Sequence, residues 1–216
     1  MAGLTAQPAP LPIALRVGYG RFLSDRYPAD SRRYRELAVS GQRPHTLVVA
    51  CSDSRSAPEA VFDAGPGELF VIRNVAGIVP AYAPDAAAHA ASAALEYGVL
   101  ALGVDSIVVL GHGRCGGITA ALDEAAPLSA TDFVGTWIRE LRVLGSEPAV
   151  VALTDPEARR LALEHRSIER SLEHLRSFPW IRSREAEGSL ALHGAWFDIE
   201  LGELHELGPS GWSPVA

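Results

Sequence analysis

The sequence has few of the features that mark secreted, membrane-spanning or nucleic-acid-binding chains. Among its 216 residues there are only two cysteines, too few for a disulfide scaffold. No apolar run approaches the ~18 residues of a membrane span, and residues 1–12 contain no cationic leader. Acidic residues outnumber basic ones by 26 to 19, a formal net charge of −7, which argues against a nucleic-acid partner. These absences predict a cytoplasmic protein without a membrane or nucleic-acid partner.

The organisation of the chain is that of a single domain. No repeat or long polar linker divides it, and its length suits one unit. The composition, 48% hydrophobic and 21% charged, lies in the ordinary globular range. We predict one domain over residues 1–216, divided into an extended arm (1–12), a helical arm (13–40, with helical spacing at 13–23 and 31–39), a catalytic core (41–208) and a loose tail (209–216).

Three short apolar runs predict buried strands. Residues 46–51, 69–72 and 106–110 are rich in β-branched side chains, as in strands that are covered on both faces. Between the last two, the alanine-rich residues 85–102 predict a helix. This alternation of strand and helix is typical of a parallel sheet with helices on its faces.

The C-terminal third predicts one long helix and a hairpin. Asp155 followed by Pro156 favours the start of a helix that continues to about Arg176. Residues 189–197 and 203–207 favour two strands of a hairpin. The predicted fold is therefore α/β, with about four parallel strands, an antiparallel edge strand, flanking helices and an N-terminal helical arm.

Both cysteines follow predicted buried strands, where ligands of open α/β sheets usually bind. Cys51 begins the sequence CSDSR, and His112 and Cys115 lie in the sequence GHGRCGG. Each of the three residues alone suits a structural role, since free cysteines are often small buried hydrophobes. Together, two thiolates and an imidazole at strand ends favour zinc, with one tetrahedral position left open.

Asp53 and Arg55 lie close enough in sequence to pair with each other. A carboxylate held in this way could accept a hydrogen bond from zinc-bound hydroxide. It could also move in as the fourth zinc ligand, in a closed form of the site. The residues alone leave both roles open.

The ordered pair of motifs, CSDSR at residues 51–55 and GHGRCGG at residues 111–117, resembles the β-class carbonic anhydrases. The sequence GELFVIRNVA at residues 67–76 is similar to a third element of that family. Shorter matches at residues 41–44, 192–194 and 202–204 extend the resemblance, which covers about residues 13–208.

The resemblance implies reversible hydration of carbon dioxide to bicarbonate and a proton, by attack of hydroxide on one Zn²⁺ per subunit. It implies that Cys51, His112 and Cys115 are the zinc ligands and that Asp53 and Arg55 form the catalytic pair. It also implies a homodimer at minimum, up to a tetramer, with the N-terminal helix packed across the partner. The residues that it places around the substrate, partly from a neighbouring subunit, are Gln42, Phe70, Tyr97, Gly116 and Gly117.

One departure from the family concerns regulation. In a subgroup that bicarbonate regulates, a Trp, an Arg and a Tyr form a second anion site. This chain has Val48 and Phe197 at the Trp and Tyr positions and retains only Arg73. We therefore expect it to belong to the subgroup that lacks this site.

Two alternative functions use the same three ligands. A carbon disulfide or carbonyl sulfide hydrolase would differ only in its access channel. A non-catalytic structural zinc module would ordinarily close the site with a fourth Cys or His, and no further residue has the motif spacing. Asp53 as a permanent fourth ligand would satisfy that second alternative.

Overall fold

Backbone contacts divide the chain into two units, Met1–Gln42 and Arg43–Ala216. The computed structural model describes residues 8–123 and 126–216. Most of the predicted extended arm, residues 1–7, therefore lies outside the described residues.

The described part of the N-terminal unit is helical from residue 13 to residue 40. Helix α1 (Ile13–Arg21) runs through a π-helical turn (Phe22–Arg26) into helix α2 (Tyr27–Ser40). The backbone stays helical between residues 23 and 31 and joins the two stretches of predicted helical spacing into one run. Gly41, at a φ of 76°, ends α2.

The second unit is built on one six-stranded sheet. Its spatial order is β2-β1-β3-β4-β5-β6. The first four strands are parallel, and the last two add to the edge in antiparallel fashion, which confirms the predicted fold class. The strands are β1 (Thr46–Cys51), β2 (Leu69–Asn74), β3 (Ser106–His112), β4 (Ala191–Asp198), β5 (Glu203–Gly208) and β6 (Gly211–Pro214).

In the described residues of this unit, eight further α-helices flank the sheet. The longest begins after Asp155, whose carboxylate accepts a hydrogen bond from the Ala158 N–H at 2.8 Å, as the sequence predicts. The helices are α3 (Pro58–Val61), α4 (Ala90–Glu96), α5 (Gly116–Leu122), α6 (Phe133–Trp137), α7 (Arg139–Gly145), α8 (Pro148–Val151), α9 (Pro156–Leu175) and α10 (Pro179–Ala186). In the described part of the chain, no helix has the length and apolar character that crossing a membrane requires.

Two segments differ from the predictions. Helix α4 begins five residues later than predicted because Asp85 accepts a hydrogen bond from the Ala87 N–H and forms a turn instead. Residues 211–214, predicted as part of a loose tail, form β6. This strand is stabilised by Trp212, whose ring stacks on that of His165 with centroids 4.2 Å apart.

The apolar core surrounds the carboxyl end of the sheet, where the predicted ligands lie. Strands β1 and β3 are neighbours at its centre, and their side chains are largely buried. Helices α5, α7 and α9 pack over the carboxyl ends of these strands, where Cys51 and Cys115 join an apolar cluster that includes Ile118 and Leu163. The strand ends that carry the predicted ligands thus lie in a buried, apolar part of the fold.

Candidate metal centre

Three predicted zinc ligands meet at the carboxyl edge of the sheet. Cys51 ends β1, His112 ends the neighbouring strand β3, and Cys115 directly precedes α5. None of the three is more than 6% exposed. The two Sγ atoms are 4.0 Å apart, and the three ligand atoms lie within 4.8 Å of one another. The structure therefore brings together the three side chains that the two sequence motifs supply.

The donor atoms fit a zinc ion. Two sulfurs that are both ~2.3 Å from one tetrahedral zinc lie about 3.8 Å apart, close to the observed separation of 4.0 Å. The Nδ1 of His112 is 2.9 Å from the Gly113 carbonyl, to which it donates its hydrogen, so Nε2 carries the free lone pair. That Nε2 is buried and has no hydrogen-bond partner among the described residues. An unpartnered imidazole lone pair beside two sulfurs is the arrangement that a metal ion completes.

The cysteine pair is prepared to supply a thiolate. The hydrogen bond from the Cys115 thiol lowers the pKa of Cys51 to about 4, against the effect of burial. The same hydrogen bond raises the pKa of Cys115, which retains the proton. The Asp53 backbone N–H, 3.4 Å from the Cys51 sulfur, adds a further donor. Thiolate is the form of cysteine that binds metals.

Asp53 is held by Arg55 beside this cluster. The Arg55 Nε donates to Oδ1 at 2.9 Å and Nη2 donates to Oδ2 at 2.7 Å, a bidentate pair. The guanidinium of Arg55 holds the pKa of Asp53 well below its usual range. Oδ2 lies 4.0 Å from the His112 Nε2, so an ionised carboxylate stands at the edge of the ligand cluster.

Arg55 also connects the two ligand loops. Its Nη2 donates to the Arg114 carbonyl at 3.2 Å, inside the loop between His112 and Cys115. Arg114 has a φ of 57°, which is unusual for a residue other than glycine, and its side chain pairs with Glu200. The Asp53–Arg55 pair is thereby fixed relative to both cysteines.

Close backbone contacts behind the cluster require glycine at two positions. Gly77 has a φ of 63°, and a Cβ there would lie 2.7 Å from the Cys51 nitrogen. A Cβ on Gly117 would lie 2.8 Å from the Cβ of Ala76. Gly117 therefore lets α5 approach the turn that follows β2, whereas Gly116 has open space beside it.

Phe70 and Tyr97, predicted to line the substrate pocket, lie together but away from this cluster. Their ring centroids are 5.9 Å apart. Phe70 pairs in register with Leu47 at the start of β1, four residues or about 13 Å along the strand from Cys51. Gln42 is exposed at the end of the N-terminal unit. The strand register thus places Phe70, and Tyr97 with it, at the opposite end of the strands from the ligand cluster.

Of the three positions that would form the second anion site, two carry apolar side chains and the third, Arg73, already donates hydrogen bonds to backbone carbonyls. Val48 is fully buried, in a cluster that includes Phe197. Arg73 donates through Nε to the Cys51 carbonyl at 2.9 Å and through Nη2 to the Asp53 carbonyl at 2.6 Å. Its guanidinium thus supports the loop that carries Asp53.

Sequence reasoning missed Glu164, which contacts the metal centre from α9. Its Oε1 accepts a hydrogen bond from the Cys115 N–H at 3.2 Å, and its Oε2 accepts one from the Trp196 indole at 3.0 Å. Burial raises the pKa of this carboxyl, and the two hydrogen bonds act in the opposite direction. The signal in the sequence was a glutamate on the buried stripe of α9, between Leu163 and Ser167.

The chain is similar to carbonic anhydrases in sequence. A family model described as "Carbonic anhydrase" matches residues 46–204, a range that includes all three ligands. A carbonic anhydrase from Pseudomonas aeruginosa is 38% identical over 190 residues, which make up 88% of this chain and 84% of that protein.

Solved structures show the same similarity. The β-carbonic anhydrase CcaA has a TM-score of 0.85 at 30% identity, with 94% of this chain and 98% of that chain covered. One of two tetrameric β-carbonic anhydrases from the ascomycete Sordaria macrospora has a TM-score of 0.73 at 31% identity, with 94% of both chains covered. Both similarities extend over nearly the whole of this chain.

Proposed function

The chain belongs to the β-carbonic anhydrase family, and we propose that Cys51, His112 and Cys115 hold the zinc ion with which it converts carbon dioxide to bicarbonate. The observation that carries this assignment is the buried Nε2 of His112, which has no hydrogen-bond partner among the described residues and lies beside two sulfurs that are 4.0 Å apart. Substitution of any one of these three side chains tests the ligand assignment.

When bound here, zinc lowers the pKa of a water molecule and so supplies a nucleophile near neutral pH. Asp53 is ionised because of Arg55, so it can only accept hydrogen bonds. Oδ1 accepts both the backbone N–H and the Nε–H of Arg55, whereas Oδ2 accepts only the Nη2–H and so keeps a lone pair. Asp53 therefore accepts the hydrogen of the attacking water and turns its lone pair towards carbon dioxide.

The contacts of Arg55 favour the hydrogen-bonding role of Asp53 over its role as a fourth zinc ligand. Its bidentate pair with the carboxylate and its hydrogen bond to the Arg114 carbonyl hold Asp53 back from the ligand cluster. Among the described residues, the group able to hold a metal contains only the two cysteines and His112. This arrangement supports an open catalytic site rather than a closed structural module.

We further propose that the active form is a homodimer or a larger assembly with shared pockets. Tyr97 is 52% exposed, and its contact with Phe70 lies at the end of the sheet opposite to the ligands. Apolar side chains of α1, including Ile13 and Leu15, are also exposed, as expected of a surface that another subunit covers. In this proposal Phe70, Tyr97 and Gln42 complete the carbon dioxide pocket of a partner.

Co-expression of two inactive variants should restore activity if pockets are shared. One variant is Asp53→Asn, and the other is the double substitution Phe70→Ala and Tyr97→Ala. In a mixed dimer, one pocket receives an intact Asp53 and an intact aromatic pair. Random pairing should then restore about a quarter of the wild-type sites. Activity no higher than that of either variant alone would contradict a shared pocket.

Bicarbonate should act on this enzyme only as its product. Regulation through a second anion site needs polar partners for Arg73, and Val48 and Phe197 provide none. We expect stopped-flow rates to fall hyperbolically as bicarbonate rises at constant ionic strength, with chloride as the control anion. Sigmoidal inhibition by bicarbonate, absent with chloride, would show that a second anion site exists.

We also propose a cytoplasmic location. Cys51 and Cys115 are both free and must stay reduced to bind zinc. The cytosol keeps thiols in that state, whereas oxidising compartments favour disulfides.

A further inference from the structure

Glu164 is unusual because it is a carboxylate placed deep in the fold. Among the described residues it is the only acidic side chain that is buried, with 3% of its surface exposed. A buried carboxylate is costly unless hydrogen bonds and charges compensate for the lost water. Glu164 receives the Cys115 N–H and the Trp196 indole N–H, and the Arg160 Nε lies 3.8 Å from its Oε1.

These contacts show which form of the side chain the site accommodates. Both carboxylate oxygens face N–H donors. A protonated acid would turn its own O–H towards one of those donors, so the geometry suits the anion. Each of its two oxygens therefore acts as an acceptor, one for the Cys115 backbone and one for the Trp196 indole.

The loop between His112 and Cys115 is held on the same side by β4. The Gly113 N–H donates to the Phe197 carbonyl at 2.9 Å. A Cβ on Gly113 would lie 3.2 Å from the Trp196 ring, so the loop packs directly on that indole. Glu164 connects this indole to the proposed ligand Cys115, since it accepts hydrogen bonds from both Trp196 and Cys115.

We propose that Glu164 is a positioning residue for the metal centre, one that fixes the Cys115 backbone and hence the direction of its Sγ. This inference rests on the proposed role of Cys115 as a zinc ligand. Groups that orient metal ligands typically contribute 10–100-fold to metal affinity.

Glu164→Gln tests the proposal with almost no change in side-chain volume. A glutamine can accept one of the two N–H groups, but its own NH₂ then faces the other donor. The matched control is Glu169→Gln on the same helix, because Glu169 accepts a hydrogen bond from the Trp212 indole at 3.3 Å. Trp212 lies on β6, apart from the ligand loops, so this control makes the same change from carboxylate to amide beside an indole N–H without touching Cys115.

The measurements are zinc release to an excess of chelator, the thiolate-to-cobalt absorption bands of the cobalt-substituted protein, and thermal unfolding of the metal-free protein. We expect Glu164→Gln to bind zinc about 10–100-fold more weakly, to release it faster, and to shift the cobalt bands. Glu169→Gln should match wild type in metal release and in the spectrum. Glu164→Leu, which removes both acceptors, should lose more zinc than Glu164→Gln.

The decisive comparison is between the two glutamine variants. Wild-type zinc release and cobalt bands in Glu164→Gln, with zinc bound normally by wild type and control, would overturn the inference and leave the proposed function intact. A lower unfolding temperature with unchanged cobalt bands would likewise reduce Glu164 to a structural role. Absence of zinc binding by wild type itself would instead overturn the proposed function, and the inference with it.

Discussion

Substitution of Cys115 by serine is expected to remove zinc and carbon dioxide hydration together. A serine hydroxyl is not a thiolate, and the described residues offer no substitute donor in the cluster. The loss of affinity should exceed the roughly 10–100-fold that loss of an outer partner costs, because a direct ligand is removed. Cys51→Ser and His112→Ala should behave in the same way.

Metal content and stopped-flow hydration of the same samples test this expectation. His193→Ala is the matched control for His112→Ala, because His193 is an exposed histidine on the neighbouring strand β4. The control should keep wild-type zinc and activity. A purified Cys115→Ser protein with full zinc occupancy would remove Cys115 from the set of ligands.

Asp53→Asn is expected to keep zinc and lose most activity. The three ligands are untouched, so metal content should stay at the wild-type level. The amide carries no charge to pair with Arg55, and its NH₂ would face the guanidinium donors or the attacking water. We expect hydration to fall by about 100-fold or more, the usual contribution of a positioned proton acceptor.

The control for this substitution is Asp105→Asn. Asp105 also pairs with a basic side chain, His45 at 3.0 Å, but on the exposed surface. It should retain wild-type hydration. Rates for Asp53→Asn that equal those of the control would exclude Asp53 from the reaction, and zinc loss in Asp53→Asn would make it a ligand instead.

The cluster of two cysteines and a histidine and the parallel sheet were predictable because their signals are local. Cys51, His112 and Cys115 lie in two short motifs, and each motif follows an apolar run that forms a strand. Strands β1 and β3 pair with each other, so their ends bring the motifs together. The start of the long helix α9 was equally predictable, because Asp155 is a typical N-cap residue.

Other features depend on contacts between distant parts of the chain. The burial of Glu164 requires Trp196, which lies 32 positions away and on another element. The strand β6 requires Trp212 to stack on His165, and nothing in residues 209–216 alone indicates that contact. The separation of Phe70 from the ligands follows from strand register, which a motif match does not contain.

The central claim is that zinc held by Cys51, His112 and Cys115 enables this chain to hydrate carbon dioxide. Its most direct test is zinc stoichiometry and stopped-flow carbon dioxide hydration, measured on one preparation as purified, after chelation and after zinc is returned. The account predicts one zinc per chain, with hydration that is lost on chelation and restored in proportion to the zinc regained. Hydration that persists in the metal-free protein, or a fully zinc-loaded protein without hydration, would contradict it.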